Sequence, residues 1–404
     1  MIPRKKVCVL VNSLRELDLY ERILQVMDTD LYTVVLNETM PHEHLEKAYV
    51  ILLKRNIWCI NLNDAFKLSP FSVLLTTNDV LRKSEKSGVK YIKQRFNISS
   101  FDKLLNKLVF WPKQKYNAKK KYKSLSNRRV FFPRGADLKS NHPNEMAVNF
   151  FTDYFCISQI ERRSIENACQ NRKKNYQLWR IYDPTITLIG MPRFDEPQYI
   201  NTNLVIVDTN NNDNRDKRSR GVWFGSQHSY DKSGQRVQDW ASLFLASHAS
   251  YFVAFRPHPR TVECNITLID NIRSSGFVVI EDPAENIANL HRRFDVVFAE
   301  WGGSIFDGIY LDRRCVFLRH PDLAGSTANE DLISLLNSSL PTIGIDKNEE
   351  NISVIRSIVD ASFDWEPWDA KRKTLREQLF GDIEKRRDGA VIICETLKKF
   401  INVS

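Results

Sequence analysis

The sequence predicts an α/β protein made of two doubly wound halves, each with a parallel sheet. Three observations carry this. Short runs of β-branched and aromatic residues alternate with helical stretches of about 10–15 residues. The alternation halts in a polar segment, Asn201–Arg220, and then begins again. Several runs end abruptly in Pro, Gly or a small polar residue, as strands do where they deliver side chains to a crevice.

The elements follow in order. Val7–Val11 reads as a first strand and Leu14–Met27 as an amphipathic helix. Tyr32–Leu36, a helix over Glu43–Arg55, Ile57–Ile60 and Phe71–Thr76 continue the alternation, and Lys83–Lys107 reads as a charged helical region. Val130–Phe132 ends in Pro133-Arg134-Gly135, Tyr154–Ile157 ends at Ser158, and Ile186–Ile189 runs into GMPRFDE at 190–196. TNNNDNRDKRSR at 209–220 has no face to bury and reads as a linker. Beyond it come Val222–Phe224, a helix near Val237–Ser247, Tyr251–Phe255, a helix near Leu268–Ser274, Phe277–Ile280, Asp295–Ala299 and Cys315–Leu318. Asp369–Val403 turns helical. The boundaries are therefore 1–200 for a first Rossmann-like domain, 201–220 for a linker, 221–368 for a second, and 369–404 for closing helices.

Composition narrows the class. The chain has 404 residues, enough for two full cores, and 42% hydrophobic with 27% charged residues fits a soluble globular protein. No apolar run nears the roughly 18–20 residues a spanning helix needs. MIPRKKVCVLVNS starts basic, but its apolar stretch is short and no cleavage site follows, so the expected location is the cytoplasm. Seven cysteines without a CxxC pair read as reduced, mostly buried thiols, and no metal site is expected. GxGxxG after the first strand and GxxxxGK[ST] are both absent, which disfavours dinucleotide dehydrogenases and P-loop enzymes. The net charge of +10 has a focus: Lys113–Arg129 holds eight Lys/Arg and no acid. That segment is either a solvated loop or a peripheral contact with anionic membrane, gripped by Tyr116, Tyr122, Phe131 and Phe132. No nucleic-acid motif accompanies it.

The chemistry concentrates in Tyr251–Phe317. YFVAFRPHPR delivers Arg256 and His258 at a strand end stopped by Pro257 and Pro259. In FDVVFAEWGGSIFDGIYL, at 294–311, a strand meets a helix through Gly302, Gly303 and Ser304, a turn suited to a phosphate or carboxylate. An HP dipeptide also serves as a plain strand stop, and a GGS turn as a plain connection. The two in order, each at the end of a parallel strand, point to a nucleotide-handling site with His258 facing the Gly302–Ser304 turn.

This layout resembles the GT-B glycosyltransferase fold. GMPRFDE is similar to the G-x-P-R-x-D of CDP-glycerol glycerophosphotransferases, FRPHPR at 255–260 to their R-x-HP segment, and the 294–311 run to their D-x-x-I-T-D-Y-S-S-x-x-x-D. The HP dipeptide is also similar to that of bacterial sialyltransferases that use CMP-activated sugars. Two departures matter. The His-Gly pair of the glycerophosphotransferases is matched by Phe132-Pro133-Arg134-Gly135, and their T-D-Y-S-S by Ala299-Glu300-Trp301-Gly302-Gly303-Ser304. Arginine is no general base at neutral pH, and fewer hydroxyls remain for donor phosphates. The retaining β-Kdo transferases of lipopolysaccharide O-antigen and capsule synthesis tolerate both changes, and the chain resembles that group.

The resemblance implies transfer of a Kdo-type sugar from a CMP-sugar donor to a lipid-linked saccharide acceptor, with no further cofactor. Glycerophosphate transfer from CDP-glycerol is the alternative. A retaining reaction needs a carboxylate nucleophile. Asp231, in GSQHSYDKSG beside His228, is the candidate, although Asp is equally at home opening a turn before Gly234. Asp195 and Glu300 are the alternatives. His258 and Arg256 would meet the donor phosphate, Glu281 and Asp282 the base and ribose, and Ser158, Gln159, Arg134 and Arg193 the sugar or acceptor.

Overall fold

The computed structural model describes residues 6–38, 40–77, 122–133, 150–175, 184–195, 221–225, 231, 233–281, 287–321 and 330–403. These fall into two compact units. The first holds the described residues of Met1–Gly135, Asn141–Asp195 and Ile383–Ser404, and the second those of Glu196–Asp382. The Lys83–Lys107 region, the 201–220 linker, Arg134, His228 and Asp282 lie outside the described residues.

The first unit is built on a seven-stranded sheet in the order β3-β2-β1-β4-β5-β6-β7. Its strands are β1 (Val7–Val11), β2 (Tyr32–Leu36), β3 (Cys59–Asn61), β4 (Val73–Thr76), β5 (Arg128–Phe131), β6 (Asp153–Cys156) and β7 (Ile186–Leu188), and every pairing is parallel. Parallel sheets covered on both faces read as continuous apolar runs, and β1 shows why. Val7, Val9 and Val11 join the core with α1 (Leu14–Val26) and α2 (His42–Lys54), while Cys8 and Leu10 enter the opposite core with α3 (Leu62–Leu68). Tyr122, Phe131 and Phe132, expected as possible membrane grips, are buried in these two cores instead. Their apolar area is already used inside the sheet layers, which leaves a membrane contact resting on residues outside those described.

The second unit carries a five-stranded parallel sheet, β12-β11-β10-β8-β9. Its elements run β8 (Gly221–Phe224), α5 (Gln235–Ala246), β9 (Val253–Arg256), α6 (Pro259–Cys264), α7 (Ile266–Ser274), α8 (Ile287–Arg293), β10 (Val296–Ala299), α9 (Gly303–Tyr310), β11 (Arg314–Arg319), α10 (Glu330–Ser339), β12 (Thr342–Gly344), α11 (Glu349–Val359) and α12 (Glu366–Phe380); α4 (Gln159–Asn175) belongs to the first unit. Trp223, Phe255, Phe298, Val316 and Ile343 bring all five strands into a single core. The strand expected over Phe277–Ile280 shrinks to one bridge, Phe255 to Val279. Two hydrogen bonds hold it, Phe255 N–H to the Val278 carbonyl and Ile280 N–H to the Phe255 carbonyl. The ladder goes no further, because the next rung would need an N–H from Pro257; the Ile280 carbonyl accepts the Arg256 guanidinium at 2.8 Å instead.

The helical tail divides at Gly381, whose φ of 74° suits glycine and ends α12. The last helix, α13 (Gly389–Val403), joins the first unit, where Ile393, Leu397 and Phe400 pack beside α1. Asp195 clamps it there. Its carboxylate accepts the Gly389 N–H at 2.9 Å and the Arg386 guanidinium at 3.1 and 3.3 Å. Gly190 leaves room for that arginine, since a Cβ there would lie 2.1 Å from Arg386. Asp195→Ala is expected to destabilise the first unit by about 3 kcal/mol, since it leaves a mostly buried guanidinium without its carboxylate. Urea unfolding followed by a first-unit probe measures this. A loss below about 1 kcal/mol would mean that the clamp is dispensable.

Candidate active site

The second sheet places its two motifs on one edge. Reading β9-β8-β10-β11-β12, the order is 2-1-3-4-5, and winding reverses between β8 and β10, where such sheets bind ligands. Register aligns Arg256 with Phe224 and Phe224 with Ala299. The ends of β9 and β10 are thus separated by the single strand β8, roughly 10 Å apart at about 4.8 Å per strand.

Each predicted residue has a local job. His258 is half-buried, and its carbonyl accepts the Thr261 N–H at 2.7 Å to start α6, with Pro259 as the first helical residue. Arg256 is 6% exposed, and one of its guanidinium nitrogens is held by the Ile280 carbonyl described above. Gly302 is the N-cap of α9 and has extended backbone, with no side chain capping the first turn. Gly303 is exposed, and a Cβ added to it would meet nothing within 4 Å, so the turn opens onto free space. Ser304 is half-buried in the same turn.

The carboxylates are tied more firmly than their motifs imply. Asp231 is buried and accepts the Val237 N–H at 3.1 Å, which caps the first turn of α5. Glu300 is buried and accepts the Trp240 indole N–H at 2.5 Å, with Arg236 at 3.7 Å. Glu281 is half-buried and paired with Arg273 of α7.

In the first unit, the Ser158 hydroxyl accepts the Glu161 N–H at 3.0 Å, while Glu161 accepts the Ile157 N–H at 2.7 Å. Ser158 is therefore the cap of α4, a reciprocal arrangement in the manner of a capping box, and Gln159 is the first residue of that helix. Arg193 lies in the 3-10 turn Pro192–Phe194, on the wall of an apolar recess formed with Phe132, Ile157 and Met191.

One polar cluster escaped the sequence reading. Asn12, Asn37 and Thr77 follow β1, β2 and β4 directly, at the switch point of the first sheet. Asn12 donates to Glu16 and Thr76, Asn37 to Asn12 and the Tyr122 hydroxyl, and Thr77 to Glu16 at 2.7 Å. The available signal was a polar residue ending each of three apolar runs. Burial pushes the Cys315 thiol up to about 12 and the Cys394 thiol up to about 11, which keeps both protonated.

The two parallel-sheet units have the GT-B fold. No family model matches the chain, and no curated protein matches it. Solved structures do. The UDP-GlcNAc 2-epimerase of Methanocaldococcus jannaschii, in complex with UDP-GlcNAc and UDP, aligns with a TM-score of 0.54 at 12% identity over 97% of this chain and 99% of that one. S. aureus MnaA with UDP aligns at 0.54 and 10% identity, over 99% and 98%. The wall teichoic acid polymerase TagF, soaked with CDPG, aligns at 0.51 and 12% identity, over 99% and 89%. At such identities the likeness is one of fold.

Proposed function

We propose that the protein is a glycosyltransferase that moves a Kdo-type sugar from a CMP-activated donor to a saccharide of surface polysaccharide synthesis. The observation that carries the reading is the second sheet's edge, where the His258 strand end and the open Gly302–Ser304 turn flank β8 at the switch point. Fold neighbours whose structures hold UDP, UDP-GlcNAc or CDPG support nucleotide handling in general. The cytidine monophosphate donor rests on the sequence resemblance.

In this reading the Asp231 carboxylate attacks the anomeric carbon while the bond to the phosphate oxygen breaks, and CMP departs as a monoester. The acceptor hydroxyl then displaces the carboxylate, losing its proton to solvent or a base. Negative charge grows on the departing phosphate, where His258, Arg256 and the turn's N–H groups lie on one edge to receive it. Glu281 and Asp282 are proposed for the base and ribose. Ser158, Gln159, Arg134 and Arg193 are proposed for the acceptor, lipid-linked and offered at the inner membrane. TagF's likeness keeps a second reading, glycerophosphate transfer from CDP-glycerol.

CMP is expected to raise the melting temperature more than UMP. At a hundredfold excess over Kd the stabilisation is about 2.7 kcal/mol, or roughly 5–11 °C for a unit of this size. Equal shifts in a thermal melt would remove the cytidine assignment, and no shift with either would remove the monophosphate site.

A further inference from the structure

Arg319 belongs to no motif, yet it ends β11 on the edge of the second sheet where β9 and β10 also end. Its backbone is still in the ladder, paired with Gly344 of β12, so the strand's alternation of faces extends to it. Arg319, Phe317 and Cys315 therefore share one face of the sheet, and Val316 and Leu318 the other. Helix α9 covers the first of these faces, where a Cβ added to its Gly308 would lie 2.7 Å from the Cys315 sulfur. Because α9 runs back along the sheet from the end of β10, its first turn, Gly302–Ser304, lies at the same edge as Arg319.

Two lengths bring the side chain and the turn together. Arg319 is four residues beyond Cys315, about 13 Å along the strand. Gly303 is five residues before Gly308, about 8 Å along the helix axis. The Cα of Arg319 thus stands roughly 5 Å beyond the turn, a gap that an arginine side chain spans. The two arginines of β11 differ in what holds them. Arg314 donates to Asp369 and lies over the Trp365 ring. Arg319 is exposed, and among the described residues it makes no ion pair or hydrogen bond. Its planar fork matches a carboxylate with two parallel N–H bonds.

We propose that Arg319 binds the carboxylate of the donor sugar and so selects an acidic 2-ulosonate over a neutral sugar. The proposal rests on the nucleotide-sugar reading of the second unit and adds the residue that reads the sugar. Order along the edge carries it. Glu281 lies outside β9, His258 follows β9, the turn follows β10, and Arg319 ends β11. Base and ribose, phosphate and sugar succeed one another in the same order along a nucleotide-sugar. In a CMP-ulosonate one anomeric carbon carries both the phosphate oxygen and the carboxylate. A phosphate held between His258 and the turn therefore leaves the carboxylate on the turn's far side, where Arg319 stands. A neutral sugar has no anion there for the guanidinium to meet.

Calorimetric titration of the full chain with CMP-β-Kdo, in the absence of acceptor, and with CMP tests it, because only the first carries the carboxylate. Arg319→Met is expected to weaken CMP-β-Kdo binding about ten- to hundredfold and CMP binding less than about twofold. Arg319→Lys, which keeps the charge and loses the fork, is expected to fall between. Both variants should melt with the wild type, since the side chain is exposed. A wild-type ratio of the two affinities in Arg319→Met overturns the assignment. Equal weakening of both ligands gives that same ratio and moves Arg319 to the phosphate. If Arg319→Met does not fold, an unchanged ratio in Arg319→Lys overturns it equally. Wild-type protein that binds CMP but not CMP-β-Kdo, or neither, fails the donor reading, and the assignment falls with it. An unchanged ratio in a chain that binds both sinks the assignment alone.

Discussion

Asp231→Asn is expected to reduce sugar transfer roughly 10³-fold or more while CMP binding and the melting temperature stay close to wild type. The geometry sharpens this expectation, because Asp231 caps α5 through the Val237 N–H. Asparagine caps a helix about as well as aspartate, so the fold loses little and only the nucleophilic charge disappears. Asp231→Ala is the companion. It removes cap and charge together, and should cost about 1 kcal/mol of stability in addition to the activity. Transfer near wild-type level in Asp231→Asn would leave Asp231 as a cap alone. A sugar adduct trapped on the peptide of Glu300 instead would move the nucleophile there. An adduct on Asp195 would have to arise from a carboxylate already shared by Arg386 and the start of α13.

His258→Ala is expected to lower turnover by about 10²-fold or more, since a hydrogen bond that strengthens as charge develops on the leaving phosphate acts on the transition state. Stability should barely change. The local structure uses the His258 carbonyl and Pro259 to start α6, and alanine keeps that carbonyl. Steady-state kinetics beside a urea melt separates the two effects. Normal turnover would make His258 a strand stop, and a large stability loss with proportionate activity loss would make it a core residue.

Much of the fold was legible because the sheets are parallel and covered on both faces. VCVLV and VVFA are apolar throughout and YTVVL is broken only by Thr33, and their ends are marked by Asn12, Asn37 and Glu300. Where that signal thinned, the reading did too. β12 is only three residues long, too short for its composition to stand out between α10 and α11. Phe277–Ile280 has strand composition but one bridge, because its partner strand meets Pro257, which has no N–H for the next rung.

The candidate site was legible in outline and opaque in role. The strand ends near His258 and Gly302 fall on one edge, as their order along a doubly wound chain implies. Ser158 follows β6 and Asp195 the turn after β7, but their oxygens cap helices, and Asp195 does so for residues nearly two hundred positions away. Arg319 ends an ordinary apolar strand, and nothing in RCVFLR sets it apart from Arg314 before the register brings it beside the Gly302–Ser304 turn.

Incubation of the full chain with CMP-β-Kdo, CDP-glycerol and UDP-sugars, each with a saccharide acceptor, tests the central claim most directly when the product and not only the nucleotide is identified. The account predicts acceptor-dependent CMP release from CMP-β-Kdo alone, and a product whose anomeric configuration matches that of the donor. Glycerophosphate on the acceptor from CDP-glycerol, sugar transfer from a UDP donor, or an inverted Kdo linkage would contradict it.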